Sequence, residues 1–417
     1  MTQHSRLHLF QGYGVELEYM IVDRDSLEVR SISDELLKQE LGEYGSDFDN
    51  GLITWSNELV THVIELKSSK PESDFEVLQL SFQENVQLIN NILSEWNAML
   101  LPTAAHPFMD PVKETKLWPH DNNEVYVIYN KIFNCSGHGW SNLQSTHLNL
   151  PFGDQLEFVK LHAAIRLILP LLPALCASSP ILDGKPSGFL DTRLTYYKSN
   201  QSSIPSITGQ VIPESIDSET AYHELIFEKI KKDIASSDPE NILDPMWVNS
   251  RGAITRFDRG SIEIRIMDVQ ECPSADLAIV TLVNETLKAL VKEQFIGHKD
   301  QMKWETTPLA ELLDKTILAG PHSLFENTEY LRVFGIKKES ASAKEIWQTL
   351  INHHITAGNE NLKRYMAELN TIQEEGTLSD RILKSLDGDF SRENLKKVYK
   401  QLALCLAENK MFHAGKF

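Results

Sequence analysis

The sequence predicts an α+β protein in which strands come first and a mainly helical part follows. Residues 11–22 and 251–268 alternate between apolar and polar side chains, as strands with one buried face do. Apolar residues recur at helical spacing over 73–97, and from residue 274 onward the pattern is helical throughout. We therefore expect an α+β part over 1–273 and a helical part over 274–417, packed on the same domain.

Composition excludes some classes of protein and leaves others open. The chain has 417 residues, 41% of them hydrophobic and 24% charged, which is ordinary for a globular protein with a full core. Its formal net charge of −19 argues against nucleic-acid binding, which requires a basic face. The charge does not exclude anionic substrates, because bound cations and local arginines can reverse the field inside one cleft.

Several features indicate a cytoplasmic protein. The four cysteines are widely separated and form no Cys-x-x-Cys pair, which suits a reducing compartment. The N-terminus has no signal-peptide pattern. The most apolar stretch, residues 167–182, contains three prolines and is too short to span a membrane. We expect no membrane association.

The first strand carries the most informative pattern. Glu16 and Glu18 fall on one face with Met20 and Val22, and the opposite face is apolar. Two neighbouring carboxylates on a half-buried strand repel each other, and a cation between them would remove that cost. Oxygen ligands favour Mg²⁺ or Mn²⁺. The alternative is an exposed amphipathic strand that needs no ligand.

Two more glutamates follow a helix predicted at residues 33–41. Glu58 and Glu65 lie in a β-branched segment, residues 57–67. Because they are seven residues apart, they would face opposite sides of an unbroken strand. They can share a site only if a bulge or bend intervenes. Otherwise one of them is solvated.

The middle of the chain alternates between helices and loops. We expect helices at 73–97 and 154–172, with a strand at 100–105 between them. His106 and His120 lie in a proline-rich loop, where structural or solvated roles are expected.

A glycine-containing turn leads into the next strand, residues 145–150. His147 and Asn149 share one face of this strand. A single histidine in a strand is usually a hydrogen-bonded core residue. Beside a separate Glu-x-Glu strand it becomes a candidate ligand of a metal or a donor to phosphate.

The longest polar loop, residues 183–214, is a candidate lid or substrate wall. It contains Arg193, Tyr196, Tyr197, Asn200 and Gln201. An arginine there could hold a substrate carboxylate with two hydrogen bonds, or could simply lie at the surface.

The second informative strand is Ser261–Asp268. Its alternation places Ser261, Glu263, Arg265 and Met267 on one face and three isoleucines on the other. The simple interpretation is a cross-strand ion pair. The functional one has Glu263 on a metal and Arg265 on a transferring phosphoryl group.

Four helical regions are predicted after this strand: 274–296, 307–318, 342–368 and 391–409. Gly358 is a weak point that could divide the third. No motif for chemistry occurs here, so we expect a supporting bundle.

Taken together, the motifs resemble those of the glutamate–cysteine ligases, in particular the bacterial carboxylate–amine ligases of family 2. The resemblance covers roughly residues 10–300 and rests on four segments in order, Glu16-x-Glu18, Glu58…Glu65, His147-x-Asn149 and Glu263-x-Arg265. It implies a glutamine-synthetase-like fold, in which a curved antiparallel sheet forms an active-site funnel that holds ATP and divalent metals.

The resemblance also implies roles for individual residues. The residues implied to hold metals or ATP phosphates are Glu16, Glu18, Glu58, Glu65, His147 and Glu263. Glu58 or Glu65 would alternatively meet the incoming amine, with Glu65 catalytic. Arg265 would stabilise the transferred phosphoryl group, while Arg193 and Tyr196 would bind substrate. Many members have Gly-x-His-x-His where this chain has Ser145-Thr-His147-Leu-Asn149, and the loop around Arg193 matches only loosely.

Three functions follow as hypotheses. The first is an ATP-dependent ligase that activates a carboxylate, the γ-carboxylate of glutamate, as an acyl phosphate and joins it to an amine such as cysteine. The second is a guanidino kinase-like phosphotransferase, and the third a non-catalytic protein that retains the fold. A homo-oligomer is compatible with all three. The sequence identifies neither the amine nor the number of metals.

Overall fold

A computed structural model describes residues 6–415, which are built around an antiparallel sheet of eight strands. The sheet order is β2-β3-β4-β1-β6-β10-β9, and β5 pairs with the second half of β1. Two further pairs, β7 with β8 and β11 with β12, form short separate ribbons. The strands are β1 (Gly14–Asp23), β2 (Asp47–Asn50), β3 (Ile53–Asn57), β4 (Val63–Ser68), β5 (Ala98–Leu101), β6 (Ser145–Pro151), β7 (Ile181–Leu182), β8 (Lys185–Pro186), β9 (Ala253–Arg256), β10 (Ser261–Asp268), β11 (Leu324–Phe325) and β12 (Ala341–Ser342).

Helices account for most of the remaining described structure. Short 3-10 turns occur at Leu169–Leu171 and Gly320–His322, and a π-helical turn at His223–Phe227. The α-helices are α1 (Ser33–Leu41), α2 (Phe75–Glu95), α3 (Pro111–Glu114), α4 (Asn123–Phe133), α5 (His138–Ser141), α6 (Gln155–Ile168), α7 (Pro173–Cys176), α8 (Thr192–Tyr197), α9 (Glu219–Tyr222), α10 (Glu228–Ile234), α11 (Pro245–Val248), α12 (Pro273–Val291), α13 (His298–Gln301), α14 (Thr306–Ala319), α15 (Thr328–Val333), α16 (Ala343–Thr356), α17 (Glu360–Arg364), α18 (Met366–Glu375), α19 (Leu378–Leu386) and α20 (Arg392–Glu408).

The apolar face of the sheet packs against long helices. In β1 this face consists of Val15, Leu17, Tyr19 and Ile21, all fully buried. They belong to one core with the apolar stripe of α2 and with α6 and α12. Helices α2 and α6 begin at aspartate caps, since the Asp74 and Asp154 side chains accept backbone hydrogen bonds. The predicted alternation of β1 is confirmed.

The opposite face of β1 changes character halfway along the strand. Glu16 and Glu18 occupy its first half, whereas Met20 and Val22 continue it as buried apolar residues. Side chains from α19 and α20 complete a second, smaller core around this apolar half. Its C-terminal members include Leu378, Ile382, Leu386, Leu395, Val398, Tyr399 and Leu402. The C-terminal helices therefore cover the sheet beside the polar cluster.

Some predicted bounds were wrong. The strand expected at 100–105 is shorter, Ala98–Leu101, and the helix expected at 154–172 ends at Ile168, where a 3-10 turn containing Pro170 follows. The region 342–368 is divided as predicted at Gly358, which has a φ of 78°. Helices α15 and α19 were not predicted. No helix in residues 6–415 has the length and apolar character that crossing a membrane requires.

His162 in α6 gives a first testable prediction about stability. Its ring is 1% exposed and both ring nitrogens lack hydrogen-bond partners within the described chain. Burial, with the nearby charges of Arg166 and Arg251, lowers its pKa to about 3. The unfolded chain titrates near 6.5, so below that pH it binds a proton that the folded chain does not. Acidification therefore lowers the free energy of unfolding.

We expect His162→Phe to remove about 1.2 kcal/mol per pH unit from the slope of unfolding free energy against pH between pH 5 and 6. Urea unfolding at several pH values measures this slope. His223→Phe is the matched control, because it makes the same replacement at a histidine that is 47% exposed in the folded protein. An unchanged slope in His162→Phe would show that the ring reaches water in the native state.

Candidate active site

Four strands bring the predicted polar residues together on one face of the sheet. In the antiparallel pairing, Glu18 lies opposite Glu65 of β4, and Glu16 lies opposite His147 of β6. Glu263 of β10 lies opposite Asn149. Because residues directly opposite each other in an antiparallel pair share a face, their side chains converge over the centre of the sheet.

His147 lies at the centre of this cluster. Its Nδ1 is 2.8 Å from Glu16 Oε2 and 3.6 Å from Glu263 Oε1, and its Nε2 is 3.9 Å from Glu18 Oε1. Ser145 donates its backbone N–H and its hydroxyl to Glu18 Oε2, at 2.7 and 2.9 Å. The two ring nitrogens of His147 thus face different carboxylates.

Glu58 and Glu65 reach the same site because the chain turns between them. Strand β3 ends at Asn57 and β4 begins at Val63, so Glu58 lies in the connecting segment and Glu65 in the strand. The bend that their spacing required is therefore present. Glu58 faces the cavity described below, and Glu65 lies beside Glu18 with Lys67 Nζ at 3.6 Å.

The carboxylates of the cluster do not all ionise as isolated groups would. Burial raises the pKa of Glu65 well above its usual value, and the charges of Glu16 and Glu58 raise it further. Burial, with the charge of Glu18, raises the pKa of Glu58 to about 7. Glu16 behaves oppositely: although burial alone would raise its pKa, hydrogen bonds and charge from His147 lower it to about 2. The cluster therefore holds more negative charge than its own cations neutralise.

This donor set fits a hard divalent cation. Two overlapping groups place ligand atoms within 4.8 Å of one another, namely Glu16, His147 and Glu263, and Glu18, Glu65 and His147. Carboxylate oxygens with one imidazole suit Mg²⁺ or Mn²⁺, and an added cation would relieve the repulsion that raises the pKa of Glu65. Glu58 belongs to neither group.

A bulge in β10 fixes the position of Arg265. The register with β6 shifts between Ile264 and Met267. The prediction that Met267 shares the face of Glu263 was wrong, because Met267 pairs with Thr146 and belongs to the apolar core. Arg265 stays on the polar face, with its Nε 2.9 Å from Glu263 Oε1. Burial lowers its pKa, but the charge of Glu263 together with the charges of Tyr197, Glu16 and Glu18 raises it overall.

Arg193 lies in the site but is held by a residue that sequence reasoning did not single out. Its Nε donates to Asp268 Oδ1 at 2.6 Å, and its Nη2 donates to the carbonyl oxygen of Arg265 at 3.2 Å. Asp268 is fully buried at the end of β10. Within the described residues, Arg193 Nη1 has no hydrogen-bond partner and is the nitrogen left for a substrate.

An open cavity of about 280 Å³ lies on one side of the cluster, and we call it the aromatic cavity. Glu18, Glu58, His147 and the two arginines of the site face it. Its other walls include Tyr126 and Tyr129 of α4, Trp140, Tyr197, Asn200, Gln201 and Trp247. Tyr197, rather than the predicted Tyr196, lines this cavity, while the Tyr196 ring lies 5.7 Å from that of His138.

A second cavity of about 580 Å³ lies on the other side of the cluster, and we call it the glycine-lined cavity. Gly12, Gly14 and Gly260 contribute backbone surface to it. Three cationic side chains line it, those of Arg6, Lys70 and Arg259, together with the acidic Asp258. Glu16 and Asn149 also line this cavity, so the metal-ligand cluster lies between the two cavities.

The aromatic walls had no usable signal in the sequence. Tyr126, Tyr129 and Val125 lie on one face of α4, whose apolar pattern is also typical of a helix packed in the core. In the structure α4 has no buried residue. Trp140 and Trp247 lie in short helices far apart in the chain, and only the tertiary fold brings them to one cavity.

Comparisons with known proteins identify the family of this chain. The model of the family described as glutamate–cysteine ligase family 2 matches residues 13–401. An uncharacterized protein of Archaeoglobus fulgidus is 33% identical over 402 residues, which are 96% of this chain and 99% of that protein. A provisionally named glutamate–cysteine ligase 2 of Ralstonia pickettii is 25% identical over 261 residues, 61% of each chain.

A solved structure supports the same fold. The crystal structure of glutamate–cysteine ligase from Francisella tularensis, in complex with AMP, is similar with a TM-score of 0.64 at 13% identity. The similarity covers 95% of this chain and 88% of that one. It confirms the predicted α+β fold with its antiparallel sheet, and the sheet is open rather than closed.

Proposed function

Since the chain belongs to glutamate–cysteine ligase family 2, and is thereby an ATP-dependent ligase that joins a carboxylate to an amine, we propose that the carboxylate is the γ-carboxylate of glutamate. The observation that carries the proposal is the position of the carboxylate–His147 cluster between two cavities. A ligase of this kind must bring a triphosphate and a carboxylate together, and these anions repel each other.

The two cavities suit different substrates. The glycine-lined cavity has backbone surface and three cationic side chains, which suits the phosphates and sugar of a nucleotide. The aromatic cavity holds Arg193, whose free Nη1 suits the α-carboxylate of glutamate. In this arrangement the γ-carboxylate of glutamate points at the cluster and meets the terminal phosphate there.

The cluster would hold the metal ions through Glu16, Glu18, Glu65, Glu263 and His147. When bound, such ions neutralise phosphate charge that the transition state concentrates. The guanidinium of Arg265 forms an ion pair with Glu263 at the same place. It donates hydrogen bonds to the equatorial oxygens of the phosphoryl group during transfer, because a planar fork of donors matches those oxygens.

The reaction has two steps. An oxygen of the γ-carboxylate attacks the terminal phosphorus, the bond to ADP breaks, and an acyl phosphate forms. The amine nitrogen then attacks the acyl carbon, and phosphate leaves with the carbon–oxygen bond electrons. Glu58 accepts the first proton from the incoming ammonium, since it faces the aromatic cavity and lies outside both metal-ligand groups. The second proton of the attacking nitrogen leaves with the phosphate.

An isotope experiment tests the acyl phosphate. With glutamate labelled by ¹⁸O in its γ-carboxylate, each phosphate released should carry one ¹⁸O atom, because the oxygen that attacks phosphorus leaves with it. Mass spectrometry of phosphate in the presence of ATP, Mg²⁺ and an amine measures the transfer. Unlabelled phosphate would contradict the proposal, and a stable phosphorylated product without an amide would favour a guanidino kinase-like phosphotransferase.

A further inference from the structure

We propose that the acceptor is a primary amine that carries no carboxylate and has an apolar or aromatic body. This inference rests on the proposed glutamate activation and names the second substrate of the same site. It depends on two properties of the aromatic cavity. The cavity offers no further cation for the carboxylate of an α-amino acid, and its walls are largely aromatic.

The three cations that line the aromatic cavity already have roles in the proposed function, Arg193 with glutamate, Arg265 with the phosphoryl group and His147 with the metal ions. Arg193 is held by Asp268 at 2.6 Å, Arg265 by Glu263 at 2.9 Å, and His147 by Glu16 at 2.8 Å. Glutamate brings its own α-carboxylate, for which Arg193 Nη1 is the available donor. An amino-acid acceptor would bring a second α-carboxylate and find no further cation among the described lining residues. A partly buried carboxylate without such a partner is costly.

The anions of the cavity, in contrast, suit an ammonium group. Glu58 faces the cavity, and within residues 6–415 it has no ion-pair partner within 4.0 Å. One weak hydrogen bond, from the backbone N–H of Leu59 at 3.3 Å, reaches its carboxylate. An amine arrives at Glu58 as a cation, whereas a second carboxylate would be repelled.

The remaining walls suit an apolar body. Tyr126 and Tyr129 of α4, Trp140, Tyr197 and Trp247 surround the cavity. Trp247 is 59% exposed at this surface, which is unusual for so large an apolar side chain. Aromatic faces bind both apolar groups and organic cations. The amides nearby are engaged, since Asn200 donates to Gly139 and Gln201 donates to Ser250.

Matched pairs of acceptors test the inference, because each pair differs only in a carboxylate. The pairs are phenethylamine with L-phenylalanine and cysteamine with L-cysteine, each supplied with ATP, Mg²⁺ and glutamate. We expect kcat/KM for amide formation to be at least about tenfold higher for the amine than for the amino acid in both pairs. Equal values, a preference for the amino acids, or no reaction of either amine would overturn the inference.

Hydroxylamine separates this inference from the proposed function. It is small and uncharged, so it should trap the acyl phosphate as γ-glutamyl hydroxamate whatever the acceptor preference. If no hydroxamate forms, glutamate activation itself is wrong. If hydroxamate forms and the amino acids are preferred, only the acceptor assignment fails.

Two variants test the charge of the cavity and its apolar wall separately. Each is judged by a ratio between two acceptors, so that an effect on the chemical step common to both acceptors cancels. Glu58→Gln should reduce the preference for phenethylamine over L-phenylalanine, because it removes a charge that repels the carboxylate. Trp247→Ala should raise the KM for phenethylamine more than the KM for cysteamine, because the smaller amine makes less contact with the wall. Unchanged ratios in both variants would overturn the inference.

Discussion

Replacing Arg265 by alanine is expected to lower kcat/KM by two to three orders of magnitude, about 3–4 kcal/mol of transition-state stabilisation. The guanidinium lies on the polar face of β10, held 2.9 Å from Glu263, where phosphoryl transfer is proposed. Removing it takes away donors that act on charge developing in the transition state. Steady-state measurement of ADP release checks this prediction.

The fall in kcat/KM should result from the missing guanidinium and not from unfolding of the protein. Arg265 is partly exposed, and its replacement leaves the apolar face of β10 intact. Arg256→Ala in β9 is the matched control, because Arg256 pairs with Asp258 and is absent from the described lining of both cavities. Normal turnover in Arg265→Ala would exclude the phosphoryl-binding role.

Replacing Glu16 by glutamine is expected to weaken divalent-metal binding by about 10- to 100-fold. Glu16 belongs to the group with His147 and Glu263, whereas Glu18, Glu65 and His147 form the other. Calorimetric titration with Mn²⁺ should therefore give a dissociation constant raised by this factor.

A surface substitution controls for the general loss of negative charge. Glu28→Gln removes one carboxylate at an exposed position, where Glu28 pairs with Arg392 at 3.4 Å. It should leave the titration unchanged. If Glu16→Gln also titrated normally, Glu16 would be an ordinary polar residue of a half-buried strand.

The parts of the site that could be predicted depend on local periodicity. Glu16 and Glu18 share a face because strand side chains alternate, and the same rule placed Glu263 beside Arg265. The rule failed at Met267, since one bulge reverses the alternation and neither glycine nor proline marks it. The spacing of Glu58 and Glu65 shows that they can share a site only if the chain bends between them. No residue pattern predicted the turn between β3 and β4 that provides this bend.

The remainder depends on contacts between distant parts of the chain. The partner of Arg193 is Asp268, 75 residues away, and nothing near either residue indicates their pairing. The aromatic cavity combines α4 with tryptophans from two other helices, and its apolar pattern resembles ordinary core packing. The second core under α19 and α20 also escaped prediction, because periodicity predicts an apolar helix face without indicating its partner.

The central claim is that the carboxylates and His147 hold divalent ions between a nucleotide and a second anion. The most direct measurement is anomalous diffraction from crystals grown with Mn²⁺, glutamate and a non-hydrolysable ATP analogue. We predict Mn²⁺ bound by Glu16, His147 and Glu263 or by Glu18, Glu65 and His147, in contact with phosphate oxygens. Mn²⁺ bound to the phosphates with neither group as ligand would contradict the account.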